Sequence, residues 1–181
     1  MRPSPHVPLL GALLGALAFI PAASAQGSAA HVHGLARLEV VVEGGTISLH
    51  LESPLEALLG FEHAPRDAGE RTKVEVMRKN LAQGERMFSP TPAARCRLVS
   101  ARLTSPILDA APGKPSARGR EAHDDLDAEF QFQCAQPARI TGLEVRLGEF
   151  FPRLQRIDAQ VVSPKGQSAS RLDAKRRFLS W

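Results

Sequence analysis

The chain has 181 residues, with 23 Lys and Arg against 19 Asp and Glu and a formal net charge of +4. At 43% hydrophobic and 23% charged it has the makeup of a folded globular chain and not that of an intrinsically disordered one. Basic and acidic residues are interspersed, Tyr is absent and Trp181 is the only tryptophan. Neither the basic stripe nor the stacking aromatics of a nucleic-acid binder are therefore present.

The first 25 residues have the pattern of an export signal. Arg2 supplies the positive start, Val7 to Ile20 an apolar run, and Ala23-Ser24-Ala25 a small-residue cleavage site. The run is about 14 residues, short of the ~20 that a spanning helix requires. No later segment is apolar enough to cross a membrane, so the expected product is an exported, periplasmic domain over 26–181 without stable membrane insertion. In an oxidising compartment the two cysteines, Cys96 and Cys134, read as a disulfide. A thiol metal pair is the alternative, but they lack CxxC spacing. Closing that loop contributes about 3.9 kcal/mol on the chain-entropy argument.

Gly34–Val42 and Ile47–Glu52 alternate as two strands, joined through Gly44-Gly45 in a two-residue hairpin. Pairing Glu43 with Thr46 gathers Leu38, Val40, Val42, Ile47, Leu49 and Leu51 on one face. It also sets Arg37 opposite Glu52 and Glu39 opposite His50. Ser53-Pro54 then predicts a short capped helix that buries Leu55, Leu58, Leu59 and Phe61. Asp67 opens a second helix to about Gln83, with Val74, Met77 and Leu81 as its core stripe. Pro90 and Pro92 mark a loop.

Arg95–Thr104 and Leu126–Cys134 follow as strands, the second with Leu126, Ala128, Phe130, Phe132 and Cys134 facing inward. Between them, Asp109–Asp125 is rich in Ala, Pro, Gly, Ser and charge and reads as a flexible connector. Ile140–Leu147, Ile157–Ser163 and Gln167–Asp173 complete the strands, with a short turn or helix over Gly148–Leu154. Phe178 and Trp181 read as packing or sheet-edge residues. The expected fold is α+β: an antiparallel β-sheet with two helices inserted after the first hairpin, and one disulfide.

His31-Val32-His33 places two imidazoles on one side of an extended segment, where they can share a divalent ion. A zinc site needs at least one more protein ligand. His50 lies about 20 Å further along the strand, too far to share that ion, and reads as a surface partner of Glu39. His63 and Glu62 sit in the turn Gly60-Phe61-Glu62-His63-Ala64-Pro65, from which they can fold back towards the pair. His123 heads a carboxylate-rich run with Asp124, Asp125, Asp127 and Glu129. No P-loop, GxSxG, HExxH or EF-hand pattern occurs, so no enzymatic activity is expected.

Several of these pieces occur together in one family. Ala30-His31-Val32-His33-Gly34, Leu51-Glu52-Ser53-Pro54, Gly60-Phe61-Glu62-His63-Ala64-Pro65, the strand start at Cys96, the Phe-x-Cys-x-x-Pro run to Pro137, Phe151-Pro152 and Ser163-Pro164-Lys165-Gly166-Gln167 make the chain resemble the ZrgA-like periplasmic zinc-uptake proteins. The resemblance implies a zinc-binding accessory role in zinc uptake, with His31, His33 and His63 as ligands and an envelope metal-transport component as partner. The family typically carries a His-, Asp- and Glu-rich tract between the cysteine strands, whereas here Asp109–Asp125 holds only His123. The competing expectation is a disulfide-stapled periplasmic interaction module without metal function.

Overall fold

Leu38, Val40 and Val42 on β1 (Leu35–Glu43) share a buried face with Ile47, Leu49 and Leu51 on β2 (Thr46–Pro54). The structure, a computed structural model, describes residues 34–109 and 125–181. The hairpin register is the one that charge and hydropathy predict: Arg37 pairs with Glu52, Glu39 with His50 and Glu43 with Thr46. Gly44 takes φ +55°, the left-handed conformation that the tight turn demands and that glycine adopts without penalty.

Two helices follow β2, as expected. These are α1 (Leu55–Leu59) and α2 (Ala68–Ala82), the latter burying Val74, Met77 and Leu81. Asp67 caps α2 through its side chain, which accepts the Glu70 amide. The predicted Ser53 cap of α1 is not formed. β2 continues through Pro54, which pairs with Asp125, and Ser53 is held in the ladder opposite Leu126. Its hydroxyl donates to the Pro54 carbonyl instead, and Pro54 occupies the cap position.

The remaining elements are β3 (Phe88–Pro90), β4 (Cys96–Thr104), α3 (Pro106–Asp109), β5 (Asp125–Cys134), β6 (Gly142–Val145), α4 (Leu147–Phe150), β7 (Arg156–Ser163), β8 (Gly166–Leu172) and β9 (Phe178–Ser180). A six-stranded sheet has the order β4-β5-β2-β1-β7-β8, and a three-stranded sheet the order β3-β6-β9. The fold is α+β, but the main sheet is mixed: β7 runs parallel to β1 while its other neighbours are antiparallel. Ile157, Ala159 and Val161 alternate inward as they would in either orientation, so periodicity does not carry that distinction.

The small sheet was not anticipated. The Pro90 loop contains β3, an edge strand that ends at Pro90, and β9 pairs with β6 near the C-terminus. Phe88 of β3 meets Phe130 of β5 with ring centroids 4.9 Å apart, which joins the two sheets across the core. Gly84 follows α2 because a Cβ there would lie 2.6 Å from the Phe130 ring. Phe178 stands on the exposed side of β9, and Trp181 packs partly against the core.

Cys96 and Cys134 are directly opposite in the β4–β5 ladder and form the expected disulfide across a separation of 38 residues. The Cys134 amide also donates to the Gly45 carbonyl at 2.7 Å, so the disulfide lies at the hairpin-turn end of the sheet. The expected export signal over residues 1–25 and most of the expected connector lie outside the described residues. Among the described residues no helix is long and apolar enough to cross a membrane.

Candidate metal site

The end of the main sheet opposite the disulfide is where the described elements flanking the candidate ligands in sequence begin and end. β1 begins there at Leu35, paired with Arg156 at the start of β7. β2 ends there at Pro54, opposite the first residue of β5, Asp125, and Thr104 at the end of β4 pairs with Asp127. The His31-Val32-His33 segment therefore joins the fold at this end, the α1–α2 loop with Glu62 and His63 leaves from it, and the connector with His123 leaves and returns there. His31, His33 and His123 themselves lie outside the described residues.

One residue links the two nearest of these segments. The Gly34 carbonyl accepts from the Gln155 and Arg156 amides at 2.9 and 3.0 Å. A Cβ on Gly34 would lie 2.8 Å from the Arg153 carbonyl oxygen, and one on Gly60 would lie 2.9 Å from Arg153 Nε. The residue that follows His33 and the residue that opens the His63 turn thus pack against the same arginine. Arg153 also donates to Glu56 on α1 at 3.4 Å.

Gly60 is the reason the turn exists. At φ +86° it ends α1 in the left-handed conformation, and its amide returns to the Glu56 carbonyl at 2.8 Å. Phe61 is then drawn into the core, while Glu62 is exposed. His63 stacks on Phe61 with ring centroids 5.0 Å apart and an interplanar angle of 24°. The Lys73 ammonium lies 6.0 Å from the Phe61 ring.

The ring of His63 is oriented from two sides. Nδ1 lies 3.0 Å from the Ala64 carbonyl oxygen, which can only accept, so Nδ1 carries the proton of the neutral ring. Nε2 faces Glu70 Oε1 at 3.8 Å. Glu70 belongs to the N-terminal turn of α2: its amide donates to Asp67 Oδ1 at 2.8 Å, and its Oε2 accepts the Arg66 amide at 2.7 Å. Backbone hydrogen bonds to the Asp67 carboxylate, from Glu70 above all, hold its pKa below the usual carboxylate range.

Sequence reasoning placed Glu62 beside His63 as the carboxylate donor, and the structure places Glu70 there. The legible signal was the spacing Asp67-x-x-Glu70, a capping-box pattern that turns the Glu70 side chain back towards the chain entering the helix. His50 pairs with Glu39 in register but hydrogen-bonds Asp127 on the other neighbouring strand at 3.3 Å. β2 is a central strand, so His50 has carboxylate neighbours on both sides, and the hairpin alone shows only one of them. Asp127 and Glu129 are exposed on the outer sheet face, in line with Glu52 and His50 respectively. Among the described residues, no three His, Cys, Asp or Glu side chains are gathered as a complete metal cluster.

Fold and site together define a disulfide-stapled α+β domain with an imidazole–carboxylate pair, His63 and Glu70, at the entrance to α2. Residues 30–181 match the family model described as ZrgA family zinc uptake protein, and the chain belongs to that family. Its role is accordingly tied to zinc uptake. No curated protein matches the chain.

Proposed function

We propose that this protein is a periplasmic accessory of zinc uptake that binds Zn²⁺ as cargo and hands it to an envelope metal-transport component. The exported form begins after Ala25. His31 and His33, with His63 and carboxylate support from Glu62 in the α1–α2 loop and Glu70 in the first turn of α2, hold the ion, and His123 is a further candidate ligand. Carriage of an ion requires no bond to be made or broken in a substrate, and the reading assigns no catalytic step.

The observation that supports it most is the packing of Gly34 and Gly60 against the same residue, Arg153. It brings the attachment point of His31-Val32-His33 beside the turn that carries His63. The donor chemistry fits the ion, because neutral imidazole and carboxylate oxygen are both ordinary zinc ligands at about 2.0–2.2 Å. Imidazole also accepts Cu²⁺ and Ni²⁺, so the family is what points to zinc.

Calorimetric titration of the oxidised protein with Zn²⁺ at pH 7.4 tests the reading. A stoichiometric site of micromolar affinity or tighter is expected, and the His31→Ala/His33→Ala variant should lose it. Absence of binding by the unaltered protein would overturn the proposal and turn attention to protein partners.

A further inference from the structure

The six-stranded sheet ends at β4 on one side and at β8 on the other, and the two edges are built differently. A register shift between Leu98 and Ser100 interrupts β4, the kind of irregularity that turns an edge away from further pairing. β8 has no such irregularity. Its pairing with β7 runs unbroken from Ser163–Gly166 to Ile157–Leu172, and no proline falls within it. Among the described residues the far side of β8 has no neighbouring strand, so one row of its backbone amides and carbonyls stands open.

The side chains of β8 are as open as its backbone. Gly166 to Arg171 are all exposed, and only Leu172 is buried. Ser168 and Ser170 lie opposite Val161 and Ala159, which β7 turns into the core, yet both serines are exposed. The core thus stops one strand short of the sheet edge.

A cleft of about 640 Å³ opens where β8 ends, a volume ordinary for a pocket that takes a small group. Val145, Leu154, Ile157 and Leu172 give it an apolar floor, and the segment after β8 adds Lys175 and Arg177. Its two acids are already committed. Glu149 is paired with Arg177, and Asp173 accepts from the Lys175 and Arg176 amides at 2.8 and 2.9 Å and from the Arg176 guanidinium at 3.3 Å. The Lys175 ammonium has no partner among the described residues. An arriving carboxylate therefore meets one uncommitted cation beside an apolar floor.

We infer that β8 is a docking edge for an extended, acidic segment of a partner protein, which adds a strand to the sheet and seats a large aliphatic side chain in the cleft beside Lys175. In this mode of recognition backbone hydrogen bonds supply affinity and pockets for alternate side chains supply selectivity. Alternate residues of the added strand turn to the inner face, where the row Ser168, Ser170, Leu172 leads to the cleft. A second copy of this chain fits less well. Antiparallel pairing of two β8 strands about Ala169 would bring Lys165 of one copy to the end of the other, where Lys175, Arg176 and Arg177 stand. The inference goes beyond the zinc-carrier reading and does not depend on it.

Random heptapeptides displayed on phage and selected on the oxidised protein are the probe. The enriched peptides should be acidic, with a large aliphatic residue at one fixed position, and a labelled synthetic peptide of that sequence should bind in fluorescence anisotropy. Lys175→Glu should weaken it by about tenfold, chiefly through slower and less salt-dependent association. Successive amides of a strand point to opposite edges, so one of Ser168→Pro and Ala169→Pro removes an outward donor and leaves the β7 pairing intact. The variant that keeps its circular dichroism and melting temperature should lose about tenfold or more in affinity.

N-methylation of alternate peptide amides tests the same edge with the protein unaltered. One of the two alternations should abolish binding and the other spare it, as an added strand requires. No enrichment, a basic consensus, or indifference to both methylation patterns overturns the inference. A dimer in sedimentation that the same proline disrupts also overturns it, because a second copy would then occupy β8. Zinc titration of these variants should match that of the unaltered chain, so a failure of the carrier reading leaves this inference standing and the reverse holds too.

Discussion

Replacing both cysteines, Cys96→Ala/Cys134→Ala, probes what holds β4 to β5 across the 38-residue interval that contains the connector. In the folded state the two strands are already paired from Cys134 to Asp127, with a register shift between Leu98 and Ser100, so few native contacts depend on the sulfurs. The cross-link acts mainly on the unfolded chain, by removing the conformations in which the two strands are far apart. For 38 residues the loop-closure relation yields about 3.9 kcal/mol at 25 °C. At about 2–4 °C per kcal/mol for a domain of this size, the melting temperature should fall by roughly 8–15 °C. Urea unfolding followed by far-ultraviolet circular dichroism is the assay. The variant should also show a larger denaturant slope, because its unfolded state exposes more surface. A loss below about 1 kcal/mol with an unchanged slope would refute the reasoning, since the unfolded chain would then gain nothing from being uncrosslinked.

Gly142→Ala should cost about 1–3 kcal/mol in urea unfolding, because the new methyl would stand 2.4 Å from the Phe178 ring and 2.5 Å from the Leu179 carbonyl oxygen. Gly44→Asn should be nearly neutral in the same assay, since nothing lies within 4 Å and Asn tolerates the left-handed conformation. Asp67→Ala should fray the first turn of α2, read as faster amide exchange at Glu70 and Arg71. The Asp67 carboxyl has a folded-state pKa below its usual value, so the cap's contribution is present above about pH 4 and is lost as pH falls through the depressed value. Protection of those amides should therefore decline only in strong acid. Zinc affinity should weaken below about pH 6, because imidazole ligands must shed their protons to bind. Unchanged affinity at pH 5 would count against histidine ligation.

Much of the fold was legible because local patterns and tertiary packing agree. The charge pairs Arg37–Glu52 and Glu39–His50 admit one hairpin register, and an alternative by one residue would turn Leu38, Val40 and Val42 out to water. The strict alternation from Leu126 to Cys134 required a half-buried strand, and its last residue forms the disulfide with Cys96 that the pair of cysteines led one to expect. Asp67 announced α2 because a carboxylate at that position satisfies helix amides that otherwise lack partners. The family, too, was legible in the short motifs spread along the chain.

The tertiary structure decided what depends on which strand lies beside which. Alternation in β7 is indifferent to direction, so the parallel pairing with β1 follows from the path of the chain between them. β3 and β9, three residues each, are strands only because β6 lies between them. His63 was a visible candidate, but its carboxylate neighbour was not the adjacent Glu62. Glu70 is seven positions away and reaches the ring because Gly60 reverses the chain and the Asp67 cap fixes where α2 begins. Residue types and periodicity thus set the elements and the chemistry available. The meeting of one imidazole with one carboxylate needed the turn angles and helix start that only the folded chain supplies.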